Sequence, residues 1–331
     1  MKVRVGLGHT EEVAHRVVPT YDASGVPVGG VELSNRTARS GATTIHGWPT
    51  VVIGTLITAA MLALATFALG LLAPGTIKKD VPGWIVAVAA GMFALAGMSL
   101  TFHGVRGVRR MARVTRMRAA HPNEPWRWDH AWDQRIARDD PGARGRYFLT
   151  VALFLLTFLT PFHWIGFFAP RPALPFGIVA LLFDAIAAGL LVAAGYFFLR
   201  RLKYGAAVAR FAHFPFRRGS TLELHVDVPR ALPQHAIATA TLRCVQERYV
   251  TTGTGEDRTT SVQCFEVYRD SAPAELVGAG AGRQALRVSF AIPADVPVTD
   301  LASRPCRYWE LDIGAATDGV DYGARFLVPV Y

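Results

Sequence analysis

Four stretches of this chain stay apolar long enough to cross a bilayer: Thr50–Ala73, Trp84–Phe102, Tyr147–Ala169 and Leu174–Leu199. Each approaches or exceeds the ~20 residues that cover a hydrocarbon core about 30 Å thick. Three carry no charge, and the fourth carries only Asp184. A surface helix of a soluble protein would keep a polar stripe over such a length, so the pattern predicts four transmembrane helices. Short connections after the first and third spans pair them into two hairpins, 50–102 and 147–199.

Beyond Arg218 the period changes to alternation. Strands are predicted over Thr221–Val228, Ala236–Tyr249, Thr259–Arg269, Arg283–Ile292, Arg307–Ile313 and Ala324–Val330. In LELHVDV and RYWELDI every second residue is apolar, the signature of a strand with one buried face. VTTGTGEDRTT and VGAGAGR read as hairpin turns, and Pro293, Pro297 and Pro305 confine their segment to a loop. The predicted fold class is an α-helical membrane domain, four transmembrane helices in two hairpins, plus an all-β antiparallel sandwich over 219–331. An amino-terminal segment (1–49), a linker (103–146) and a juxtamembrane stretch (200–218) complete the chain.

Composition agrees. With 51% hydrophobic and 18% charged residues, the 331-residue chain is too apolar for one soluble domain. The first 49 residues lack the short apolar core of a secretory signal, so the amino terminus is expected to be retained. Cys244, Cys264 and Cys306 are an odd number without metal-ligand spacing, which argues against a disulfide framework and for a reducing compartment.

Charge sets the expected orientation. Eleven arginines lie between spans two and three, and six basic residues follow span four, whereas the other connections offer only Lys78, Lys79 and Arg171. Basic residues near span ends stay cytoplasmic, so both termini are expected in the cytoplasm, with the protein in a bacterial inner membrane. Trp48, Trp84 and Trp164 fall near span ends, where indoles favour the headgroup layer. Net charge is +14 over 1–218 and −4 over 219–331. That division argues against nucleic acid as a partner, since it places the basic residues beside the bilayer instead of in a folded groove.

The linker opens with GVRGVRRMARVTRMR, which at helical spacing sets Arg106, Arg109, Arg110, Arg113 and Arg116 on one face. This reads as a helix that leaves span two and turns along the anionic inner leaflet, a lipid partner worth roughly 1 kcal/mol per basic residue. The alternative is a solvated helix whose arginines only set topology. A Trp-rich stretch follows, HPNEPWRWDHAWDQR. Trp126, Trp128 and Trp132 are expected to form an aromatic face that packs on something, through an extended entry and one or two helical turns. They are the candidate partner-binding residues. His121, Glu124, Asp129, His130 and Asp133 lack metal-ligand spacing, so no metal is assigned.

Asp184 is predicted near mid-membrane, where a charge costs on the order of 2.5–3.5 kcal/mol unless it is paired or protonated. Counting to equal depth brings Thr157 and Thr160 to its level and leaves His163 nearer the outer surface. Asp184 therefore reads either as a proton or cation relay or as a carboxyl making one structural hydrogen bond; the lack of a basic partner at its level favours the second. Ala87, Gly91 and Gly97 on span two allow close helix packing.

No nucleophile elbow, phosphate-cradling loop or Cys–His signature appears, so no catalytic or cofactor-binding residues are assigned. Two resemblances add to this reading. The Pro-Trp-x-Trp segment is similar to one in bacterial four-span membrane proteins. GSTLELHVDV, Ile292-Pro293 with Pro297, Trp309-Glu310-Leu311 and Phe326-Leu327-Val328-Pro329-Val330 together resemble an arrestin-like, immunoglobulin-like β-sandwich, over about a third of the chain. That resemblance implies a binding and scaffolding module, although arrestins have two such sandwiches. The expected function is a membrane scaffold, adaptor or assembly factor with a protein partner, and homo-oligomers are compatible with it. The alternatives are a small transporter or channel using Asp184, and a lipid-directed enzyme using His121, Glu124 and His130.

Overall fold

The computed structural model describes residues 17–21, 27–33, 38–40, 47–71, 82–228, 232, 237–252, 259–278 and 284–331. The Lys78–Lys79 connection and the turns over 253–258 and 279–283 lie outside these residues. The chain divides into two units, an α unit (45–113 and 142–198) and a β unit (1–44, 114–141 and 199–331).

The α unit holds four helices long and apolar enough to cross a membrane. They are α1 (Trp48–Ala68), α2 (Gly83–Ala120), α3 (Pro141–His163, continued by a π-helical turn over Trp164–Phe168) and α4 (Leu174–Tyr204). Leucines such as Leu56, Leu62 and Leu182 point outward and stay exposed, a distribution that suits lipid and not water. The carboxy-terminal ends of α1 and α4 are closed by glycine. After α1, Gly70 takes φ 72°, its N–H bonds Phe67 O, and the Leu71 N–H bonds Thr66 O. This pair of bonds satisfies carbonyls that a bilayer could not. Gly205, at φ 75°, closes α4 by bonding Arg201 O.

Within each hairpin the helices are antiparallel and meet at glycines. A Cβ on Gly97 would stand 2.7 Å from Thr58 Oγ1 and 2.9 Å from Gly54 O, and one on Gly104 would stand 2.9 Å from Val51. Gly91, grouped with Gly97 on sequence grounds, faces open space. In the second hairpin Phe148 stacks on Phe197, with centroids 5.5 Å apart. Phe93 meets Phe158 edge-on at 5.7 Å, joining the two hairpins. α2 runs unbroken for 38 residues, about 57 Å at 1.5 Å per residue. The expected turn along the leaflet near Gly104 is therefore absent, because the stretch from Gly104 to Arg118 holds good helix formers and no proline.

The β unit is an antiparallel sheet whose path runs β10-β9-β6-β7-β8-β5-β4-β3. Its strands are β3 (Ile136–Asp139), β4 (Ala207–Phe211), β5 (Thr221–Val228), β6 (Ala238–Thr252), β7 (Thr259–Gly278), β8 (Gln284–Ala291), β9 (Arg307–Ala315) and β10 (Tyr322–Val328). The long β7 pairs with β6 up to Ala274 and with β8 from Glu275 onward, so it passes between two layers. Asp139 on β3 accepts the Arg325 N–H of β10 at 3.1 Å, so the sheet nearly closes on itself. Upstream, β1 (Val17–Tyr21) pairs with β2 (Pro27–Leu33), and β2 pairs with β7 at Glu32 and Leu33. Alternation fills the interior: Leu222, Leu224 and Val226 of β5 meet Leu242, Trp309, Leu311 and Phe326 in one buried core. β3 and β4 thus bring the linker and the juxtamembrane stretch into the sheet, beyond the 219–331 predicted for it.

The glycine contacts lead to a direct comparison. Gly97→Leu is expected to destabilise the first hairpin by about 1–3 kcal/mol through overpacking, whereas Gly91→Leu should be near neutral. Unfolding of the reconstituted chain by denaturing detergent would read the difference.

Candidate functional site

Asp184 has a basic partner. His163 Nε2 stands 2.8 Å from Asp184 Oδ2, while the other ring nitrogen, Nδ1, lies 3.1 Å from Leu159 O. Side chains on a helix lean toward its amino terminus. In an antiparallel hairpin, His163 therefore leans inward along α3 as Asp184 leans outward along α4, and the two converge from different backbone depths. Counting backbone levels missed this. Thr157 and Thr160 instead donate to carbonyls of their own helix, Leu153 O at 2.8 Å and Leu156 O at 3.3 Å. Pro161 lies two residues before His163. Lacking an N–H, it withdraws the helical donor from the Thr157 carbonyl. The π-helical turn follows at once, closed by the Ala169 N–H on Trp164 O at 2.8 Å.

The Trp-rich stretch forms a 3-10 turn over Pro125–Arg127 and then runs irregularly into β3. The helical turn expected at Trp128 and Trp132 does not form, since a short turn has little propensity of its own and these indoles are held by other contacts. Trp132 Nε1 donates to Tyr331 Oη at 2.9 Å, and the Trp126 ring meets that of Tyr331 at 6.1 Å. Trp128 Nε1 donates to His121 O at 3.2 Å, with the Arg118 guanidinium 5.1 Å from its ring centroid. Trp132 also packs beside a second buried cluster of Val245, Cys264, Leu301, Cys306 and Tyr308. Trp126 and Trp132 thus hold the linker against the end of the chain at Tyr331, while Trp128 packs within the linker itself.

At the centre of this contact lies Asp129, 2% exposed. It accepts the Tyr331 hydroxyl at 2.8 Å and the Ala302 N–H at 2.5 Å. Burial lifts its carboxyl above the ordinary value, an effect opposed by the bonds from Tyr331 and Ala302. Tyr331 is raised in turn, by burial first and by the neighbouring Asp129 charge second. No spacing in the sequence links residues 129 and 331.

A second anchor was equally illegible. Buried Glu247 accepts the backbone N–H groups of Arg39 and Ser40, and the Ser40 hydroxyl accepts the Cys306 N–H at 3.2 Å. Arg39 also lies over the Tyr308 ring at 4.7 Å. Burial pushes the thiols of Cys306 and Cys244 up to about 12 and that of Cys264 up to about 11, so all three are held in the protonated form at neutral pH.

Among the basic residues, Arg106 and Arg109 stand at one end of an apolar groove between α1 and α2, with Leu62, Met98 and Phe102 among its walls. Arg110, Arg113 and Arg116 lie further along α2 and are exposed. Glu124 is occupied by Arg127 at 2.7 Å and His121 at 3.4 Å, whereas His130 packs edge-on against Trp132 at 4.7 Å.

No family model matches the chain, and no curated protein matches it. Among solved structures, it is similar to the sporulation control protein Spo0M from Bacillus subtilis at 11% identity and a TM-score of 0.28. That match covers 38% of this chain and 48% of that one, so the chain spans about half the length of Spo0M. A second match is to the alkylpurine DNA glycosylase AlkC from Pseudomonas fluorescens, bound to DNA containing an abasic site analog. It has 12% identity, a TM-score of 0.14, and coverage of 86% of this chain and 83% of that one. At these TM-scores neither likeness carries an argument about fold or function.

The Asp129 cluster yields two expectations. Tyr331→Phe removes a hydroxyl that both donates to Asp129 and accepts from Trp132, and should lower stability by about 1–3 kcal/mol in thermal unfolding of the full chain. Asp129 has a folded value raised above its unfolded one. Its stabilising contribution is therefore present below the ordinary value of 3.8 and lost as pH rises through the raised one. Asp129→Asn cannot ionise, so its deficit against the native chain should be larger at about pH 4 than at about pH 7.

Proposed function

We propose that the chain is a non-enzymatic integral-membrane scaffold that holds a protein partner at the cytoplasmic face of a bacterial inner membrane through its β unit. The observation that carries this reading is the way the β unit is assembled. Its residues come from three separate stretches, so the chain passes between the two units four times. A module joined in this way stays with the bilayer at several points, as a scaffold must, whereas a tail on one linker would sample a wide volume. The two-layered alternation of β5, β9 and β10 supports an arrestin-like sandwich of the binding type, although one fold hosts many activities. The arginine-rich connections support the cytoplasmic placement, and the α1–α2 groove with Arg106 and Arg109 supports anionic lipid as a second ligand.

Photo-reactive residues at Asp270 and Glu275, exposed on β7, would test this in the intact chain in cells. Both positions are expected to capture the same protein at near one-to-one yield, while positions Leu182 and Val192 on α4 capture mainly lipid. A chain that yields no companion from either β7 position would contradict the scaffold reading.

A further inference from the structure

The second hairpin contains a pair of titratable groups that scaffolding does not use. His163 Nδ1 lies 3.1 Å from Leu159 O. A carbonyl can only accept, so Nδ1 carries a hydrogen and the ring has no second one in its neutral form. Its other nitrogen, Nε2, nevertheless stands 2.8 Å from Asp184 Oδ2. Two bare lone pairs would repel at that distance, and two hydrogens would clash. The contact is satisfied when one proton lies between the two atoms.

We propose that His163 and Asp184 form a one-proton site inside the second hairpin, in which a single proton passes between the imidazole Nε2 and the carboxyl Oδ2. In the forward step the Nε2–H bond breaks and its electron pair stays on nitrogen, while the proton bonds to a lone pair of Oδ2. Nδ1 keeps its hydrogen throughout. An imidazolium with a carboxylate becomes an imidazole with a carboxylic acid, and the pair is neutral overall in both forms. That neutrality suits an apolar span, where an uncompensated charge is costly. The ligand of this site is the proton itself.

The surroundings keep the pair separate from other charges. α1 and α2 carry no charged side chain over 48–68 and 83–102. On the helices that bear the pair, the remaining titratable groups inside the spans are Tyr147 and Tyr196, roughly 24 and 18 Å away along their helices at 1.5 Å per residue. Arg171, in the connection between α3 and α4, forms no ion pair with either residue among the described contacts. The side chains of His163 and Asp184 are 31% and 28% exposed, so the site is reachable from outside the hairpin. The ring is placed by the turn after Pro161, and π-helical turns of this kind often accompany functional groups.

Nitrogen-15 NMR of the full chain in lipid nanodiscs, with histidine labelled and His163 assigned by the loss of its signals in His163→Gln, tests the site. The expected result is a hydrogen held on Nδ1 and one exchangeable proton coupled to Nε2. In Asp184→Asn that coupling should vanish and proton binding by the site should weaken at least about tenfold. A native spectrum with Nδ1 bare and Nε2 permanently protonated would overturn the proposal, because the contact would then be a static hydrogen bond. Unchanged proton binding in Asp184→Asn would overturn it too. The native spectrum does not depend on Asp184→Asn, so a misfolded Asp184→Asn chain would still leave the question decided.

Discussion

Hydrocarbon offers no water to an unpaired N–H or C=O, and the four helices of the α unit, long and apolar enough to cross a membrane, meet that constraint. It explains why the apolar stretches are continuous helices. It also explains why α1 ends in a glycine-closed turn in which the Leu71 and Gly70 N–H groups return to Thr66 and Phe67. The same constraint acts on side chains. Thr55, Thr58, Thr66, Thr101, Thr150, Thr157 and Thr160 all return their hydroxyls to carbonyls of their own helices. Asp184 has no such local partner, and His163 satisfies it from across the hairpin.

The β unit answers a different problem, that of building one core from pieces far apart in sequence. Alternating strands supply the interior, and polar anchors fix the pieces around it. Glu247 holds residues 39 and 40, while Asp129 and Tyr331 join the linker to the last residue of the chain. A salt-bridged group behind β6 completes the outer face, with Arg243 reaching Glu266 at 3.3 Å and Glu310 at 3.6 Å. Removing Arg243 would take the shared cation from buried Glu266 and Glu310, and losing one partner of a buried ion pair costs far more than the net worth of the pair.

The spans and the alternating strands could be read from the sequence because each is a local periodic pattern. β5 lies over Thr221–Val228, as its alternation predicts, and α4 starts at Leu174 as predicted. β3, four residues reading IARD, was invisible because it is too short to show a period and forms only against β4. The predicted strand ends at Arg269, whereas β7 runs on through Pro273 to Gly278. The strand continues there because it is leaving β6 and has only a brief pairing with β8 ahead. The His163–Asp184 contact was missed for a geometric reason, since depth along a helix axis ignores the lean of the side chain. Tyr331 with Asp129 gave no signal, because nothing local to either residue depends on the other.

All of this rests on α1 to α4 being solvated by lipid. Alkaline carbonate extraction of membranes bearing the intact chain tests that claim most directly, since it strips proteins held by charge or by partners and leaves those threaded through the bilayer. The expected result is that the chain stays entirely with the sedimented lipid; its release into the supernatant would contradict the account.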